Sequence, residues 1–152
     1  MIHFKIISRI IGLLLLIEAL FMTGAFGVSL YYQENITSAY LYTLAATVAA
    51  GALFLYCGRG KERNISRKDG YIVVSLCWII FSIFGSMLYI FSGSIPSVTN
   101  AFFETMSGFS TTGATILDNI ESLPSSLLFW RAMTHWIGGL GIVFFTVAIL
   151  HI

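Results

Sequence analysis

Charge is what this sequence has least of. Only 10% of its residues are charged, against roughly a quarter in an ordinary soluble domain. No dense basic cluster is interleaved with exposed aromatic residues, so nucleic acid is set aside as a partner. Cysteine is nearly absent as well. Two thiols, Cys57 and Cys77, build no disulfide framework and read as small buried or membrane-embedded hydrophobes. Catalytic patterns are also missing. There is no phosphate-cradling glycine loop, no pair of carboxylates on one short element, no nucleophile–histidine pairing and no cluster of metal ligands, so the chain is not read as an enzyme or as the holder of a cofactor.

What the sequence has in abundance is apolar residues in blocks: 57% are hydrophobic and the mean hydropathy is +0.88. An integral membrane protein follows, with the lipid bilayer as its solvent. Four blocks approach the ~20 residues that cross a ~30 Å hydrocarbon layer. They run over residues 6–30, 36–57, 71–91 and 126–152. The first is too long for a signal core and carries Glu18, so it is read as a retained helix. Glu18 opposes insertion by ~2.5–3.5 kcal/mol. The Ile, Leu, Phe and Val residues between Ile10 and Leu30 favour it by about 4–7 kcal/mol in sum, and the helix inserts. For Glu18 itself, a partner on another helix or a place near the interface is expected in preference to an ion site.

Lys5 and Arg9 lie just before and at the very start of the first span, and Arg59, Lys61, Arg63, Arg67 and Lys68 lie between the second and third. These basic residues share one side, which the positive-inside rule makes cytoplasmic. The stretch 59–70 is thus a basic cytoplasmic connector after a leading helix pair, 1–58. The opposite side receives residues 92–125, and Glu34, Glu104, Asp118 and Glu121 give it a mild negative bias, screened within about 8–10 Å.

Residues 108–115, GFSTTGAT, stand out in such a chain. They follow a short apolar stretch, 98–109, that starts after the turn Ser94-Ile-Pro-Ser and reaches ~18 Å as a helix, about half a bilayer. Phe102, Phe103, Met106 and Phe109 recur at three- and four-residue spacing and predict its apolar face. A descending half-helix presents about −0.5 of a charge at its C-terminus. The glycine and threonines beyond it add carbonyl and hydroxyl oxygens, hard ligands suited to an alkali cation. The alternative is an external loop in a small four-helix protein of structural or accessory role. Glu104 reads either as a brace for the filter or as a solvated acid, and Arg131 as its candidate partner. His135 suits packing or a hydrogen bond, and the string Gly138-Gly-Leu-Gly141 suits close helix packing. Trp130 and Trp136 partly mark an interface, whereas Trp78 reads as core.

FFETMSGFSTTGATIL (102–117), followed by WRAMTHWIGGLGIVFFTVAIL (130–150), resembles the first pore repeat of the bacterial Trk/Ktr potassium-uptake family, TrkH type. The resemblance implies an all-α membrane fold: two leading helices, then outer helix 71–91, pore helix 98–109, filter 110–115 and inner helix 126–152. It implies potassium as transported substrate, bound by Thr111, Thr112, Gly113 and Ala114, with Gly113 at the filter glycine. It further implies three more pore repeats around one ion path, a homodimer, a cytoplasmic nucleotide-binding regulatory subunit, and a multi-pass place in the bacterial inner membrane with the N-terminus inside. The sequence holds one such unit, so it is read as the N-terminal portion of a longer protein and is not expected to conduct alone.

The topology is open to a direct check. Green fluorescent protein fused after residue 62 is expected to fluoresce, and alkaline phosphatase fused after residue 95 is expected to be active. The reverse pattern at both sites would invert the assignment.

Overall fold

The computed structural model describes residues 3–60 and 67–151; the side chains of residues 67, 144–146 and 148–151 are outside the description. Five α-helices follow in order: α1 (Phe4–Tyr31), α2 (Thr37–Cys57), α3 (Arg67–Phe91), α4 (Val98–Phe109) and α5 (Ser125–His151). A single 3₁₀ turn, Ile120–Ser122, precedes α5. No β-strand occurs among the described residues. Three helices, α1, α2 and α3 from Lys68, are long and apolar enough to cross a membrane. Many of their apolar side chains, Leu13, Leu20, Leu41, Leu53 and Ile79 among them, face outward, as expected where hydrocarbon replaces water.

Helix α3 begins at Arg67, so it takes in the last four residues of the expected connector, whose residues 61–66 lie outside the described ones. Asp69 in its first turn offers a physical reason. An acid there complements the helix N-terminus, and its buried carboxylate also meets the backbone N–H of His3 (3.1 Å) and His3 Nδ1 (2.8 Å). The start of α1 is thereby tied to the start of α3.

Helices α1 and α2 form a tight antiparallel pair. Gln33 adopts a left-handed backbone (φ 53°), and its turn is closed by the Glu34 N–H donating to the Ser29 carbonyl at 3.0 Å. Along the pair, a Cβ on Gly12 would stand 2.8 Å from both the Gly51 carbonyl oxygen and the Leu55 nitrogen. Nearby, Ser8 donates to the Phe54 carbonyl at 2.7 Å. Small residues let the backbones touch, which is how membrane helices gain contact without a hydrophobic drive between them. Cys77 is buried, while Cys57 is exposed at the end of α2.

The central packing gathers Tyr40, Leu88, Tyr89, Phe109, Leu127 and Trp130, all essentially inaccessible. Trp130 is fully buried. Its ring meets Phe109 edge-on at 6.4 Å, and Phe109 in turn lies 5.4 Å from Phe81. Trp136 is 53% exposed, and Trp78 is half-buried against the core. At the opposite end from His3, Glu34 accepts from the Ser126 N–H (3.2 Å) and from its hydroxyl, so the α1–α2 turn caps the first turn of α5.

The α1–α2 seam makes a stability prediction. Gly12→Ala is expected to destabilise the chain by about 1–3 kcal/mol in denaturant titration, because backbone atoms cannot step aside. Gly27→Ala, which would meet nothing within 4 Å, is expected to be neutral or slightly stabilising through helix propensity.

Candidate functional site

The short helix α4 starts at Ser97, whose hydroxyl accepts the Asn100 N–H (3.4 Å), directly after the turn at Gly93 (φ 74°). Its buried face is not the expected run of Phe102, Phe103 and Met106. Ala101, Glu104, Thr105, Gly108 and Phe109 are buried instead, Phe103 is 44% exposed, and Phe102 and Met106 are only partly covered. The reason lies in α5 and α3. A Cβ on Gly108 would collide with the Thr134 hydroxyl, one on Gly138 would collide with the Phe109 carbonyl, and one on Gly85 would stand 2.8 Å from Thr105. The helix therefore turns its small residues inward, where backbones come closest, and its bulky ones outward.

Turning that face inward buries Glu104, which sequence reading left undecided between a brace and a solvated acid. Its carboxylate accepts from Arg131 Nε (2.7 Å), from the Thr115 hydroxyl (3.0 and 3.1 Å to its two oxygens) and from the Ile116 N–H (3.0 Å). The Glu104 side chain is 0% exposed and that of Arg131 is 17% exposed. One carboxylate thus joins α4, the strand beyond it and α5. Of the four acids expected on this side, Glu104 is paired to Arg131 and Glu34 caps α5, while Asp118 and Glu121 are exposed.

After Phe109 the chain leaves the helix. Thr111 (φ 58°) and Gly113 (φ 75°) are left-handed. For glycine this is free; for a β-branched threonine it is an outlier that costs of order 1–3 kcal/mol and persists only when its surroundings hold it. Ser107 supplies much of the hold. Its carbonyl accepts from the N–H groups of Thr112 (3.0 Å) and Gly113 (3.3 Å), and its hydroxyl donates to the Ala114 carbonyl at 2.6 Å. Thr111 N–H donates to the Gly108 carbonyl (2.9 Å), and the Ser110 and Thr112 hydroxyls bond each other at 2.9 Å.

The result is an exposed length of irregular chain, residues 111–115, whose inner side is fastened. Of the four candidate ion-binding residues, Ala114 has its carbonyl engaged by Ser107. The carbonyls of Thr111, Thr112 and Gly113 accept no hydrogen bond among the described residues. His135 lies behind the strand. Its Nδ1 donates to the Arg131 carbonyl (2.9 Å), and its Nε2 stands 3.9 Å from where a Gly113 Cβ would be.

Ser107, Thr115 and Thr134 were not singled out from sequence. Hydroxyls this common in loops carry no signal of their own, and the contacts that give these three their roles span 7, 11 and 26 positions along the chain. Glu18 needs correction too. It lies near the middle of α1, is 0% exposed, and neither carboxyl oxygen has a hydrogen-bond partner among the described residues.

Comparison with known proteins adds to this geometry. Residues 33–152 match the family described as TrkH, a cation transport protein. The Trk system potassium uptake protein TrkH of Halomonas elongata is 37% identical over 147 residues, covering 96% of this chain and 30% of that protein. The Escherichia coli protein of the same name is 37% identical over 151 residues, covering 99% of this chain and 31% of its own. The crystal structure of the potassium transporter TrkH from Vibrio parahaemolyticus superposes with a TM-score of 0.88 at 36% identity, covering 98% of this chain and 32% of that one. The chain therefore spans about 30% of the length of the curated relatives it matches.

The buried Glu104–Arg131 pair sets up a double-mutant cycle. Arg131→Met alone is expected to cost about 3–5 kcal/mol, since it strands a buried carboxylate. Adding Glu104→Gln should restore a substantial part of that loss. Additive effects in the unfolding free energy would show that the pair does not couple.

Proposed function

The chain belongs to the TrkH family of cation transport proteins, and on that premise we propose that it supplies one of four filter strands to a potassium-selective uptake pore. One observation carries the reading: the exposed, left-handed strand at the C-terminus of α4, with the carbonyls of Thr111, Thr112 and Gly113 lacking donors. Carbonyl oxygens of this kind replace the water shell of a dehydrating cation. The end of α4 adds a partial negative charge of about −0.5 beside them, and the hydroxyls of Thr111 and Thr112 extend the set of hard oxygen ligands. Ala114 closes the strand and is held by Ser107.

Such backbone is not tolerated against lipid; it must line water or be covered by protein. One strand replaces only part of an ion's shell, so three further strands complete the ring, in keeping with relatives about three times as long. Glu104 and Arg131 do not touch the ion. They hold the strand at the depth and angle where its carbonyls converge. In this reading α5 is a fourth crossing, the N-terminus and the basic connector are cytoplasmic, and the membrane is the bacterial inner membrane. The assembled protein pairs as a homodimer and works with a cytoplasmic nucleotide-binding regulatory subunit.

A chimera tests this. Residues 1–152 replace the matching third of the Vibrio parahaemolyticus transporter, and potassium and sodium uptake are measured in proteoliposomes. Gly113→Ser is expected to lower the potassium-to-sodium uptake ratio about tenfold without loss of insertion, because a left-handed filter position no longer fits. An unchanged ratio would remove the strand from the ion path.

A further inference from the structure

One buried acid among the described residues, Glu18, takes no part in holding the polar strand. Glu18 is completely buried near the middle of α1, both its oxygens are unpartnered, and one of them stands 3.2 Å from where a Gly85 Cβ would be. It lines a cavity of about 350 Å³ between α1, α3, α5 and the end of α4, together with Cys77, Trp78, Phe81, Phe109 and Trp136. That volume sits at the lower end of the range for small-molecule sites.

Three features of the cavity share one electrostatic sign. A carboxyl group with no partner in apolar surroundings is either held neutral or matched by a positive charge, and an entering cation would supply that charge. Five aromatic side chains, those of Phe21, Trp78, Phe81, Phe109 and Trp136, line the space, and aromatic faces attract cations. Phe109 ends α4, so the negative end of that helix dipole is adjacent. No lysine, arginine or histidine lines the cavity among the described residues.

Other occupants fit less well. Water needs two to four polar partners, and the walls supply little beyond Glu18. A hydrocarbon chain leaves the carboxyl unsatisfied, and a carboxylate-bearing lipid meets a charge of its own sign. A bare metal ion finds one carboxylate and no further hard ligand.

We propose that this cavity binds a compact hydrophobic amine, with its ammonium group paired to Glu18 and its apolar body against the aromatic walls. The site is separate from the strand at 111–114, and the assignment stands whether or not that strand lines an ion path. Access is from the bilayer, in which such amines concentrate. A cation seated there also offsets the dipole of α4, so occupancy opposes the stabilisation that this helix offers to a cation at its end.

The test uses the full 152-residue chain in detergent, with 6-bromohexylamine as probe and 6-bromohexan-1-ol as its neutral counterpart. Bromine quenches nearby indoles, and two of the three tryptophans, Trp78 and Trp136, line the cavity. Saturable quenching by the amine is expected, with a midpoint at least about tenfold weaker in the isosteric Glu18→Gln, consistent with loss of an ion pair in a desolvated aromatic site. The alcohol is expected to shift less than about twofold between the same two proteins. Trp78→Phe should lose much of the amplitude. Quenching that rises linearly with amine reports micelle partitioning and overturns the site. So does an unchanged midpoint in Glu18→Gln, or an unchanged amplitude in Trp78→Phe. Equal affinity of alcohol and amine for the unmodified chain overturns the cationic assignment.

Discussion

The last turn of α4 lies against the backbone of α5 so closely that Gly108 faces Thr134 and Gly138 faces the Phe109 carbonyl with no room for a methyl group on either glycine. Much else depends on that approach. It determines which face of α4 is buried, and it carries Glu104 to Arg131 and to the backbone at Ile116. It also leaves the bulky outer face of α4, Phe102 and Phe103, for whatever surrounds the chain. Dispersion between touching backbones is individually weak, yet in a bilayer there is no competing hydrophobic drive between helices, and close approach decides the arrangement.

Placing irregular backbone next to apolar helices costs free energy unless each polar group finds a partner or faces water. Two residues divide that task here. Ser107 engages the backbone at positions 112, 113 and 114 from the last turn of α4. Glu104 takes the next stretch through Thr115 and Ile116 and passes the load to α5 through Arg131. Between them they hold a threonine in a backbone conformation that it would not choose alone. The outward carbonyls at 111–113 are the part of the strand left unsatisfied, and in the proposed function that remainder is what an incoming cation uses.

The ends of the helices are joined in a similar way. Asp69 receives His3 at one end, and Glu34 receives Ser126 at the other. Both couple the leading helix pair to the helices that flank α4, so the pair is a bracket for the site and not an appendage. Glu18 departs from this pattern. It is the buried acid with neither oxygen hydrogen-bonded, and it lies where α1 passes the end of α4.

Much was legible in the linear order of residues. Block lengths marked the apolar helices, the turn at Ser94–Ser97 marked the start of α4, and Gly113 with its threonine neighbours marked where helix had to end, because these are properties of local chemistry and spacing. The pattern also placed Phe109 in the core and suggested Arg131 as a partner for Glu104. What it could not supply was the rotation of α4. Phenylalanine spacing predicts the apolar face, but in a membrane an apolar face has no obligation to point inward, since lipid serves it as well as protein does. That choice, and with it the burial of Glu104, the duties of Ser107 and Thr115 and the isolation of Glu18, depended on which backbones could approach most closely, a question settled between helices and not within any one of them.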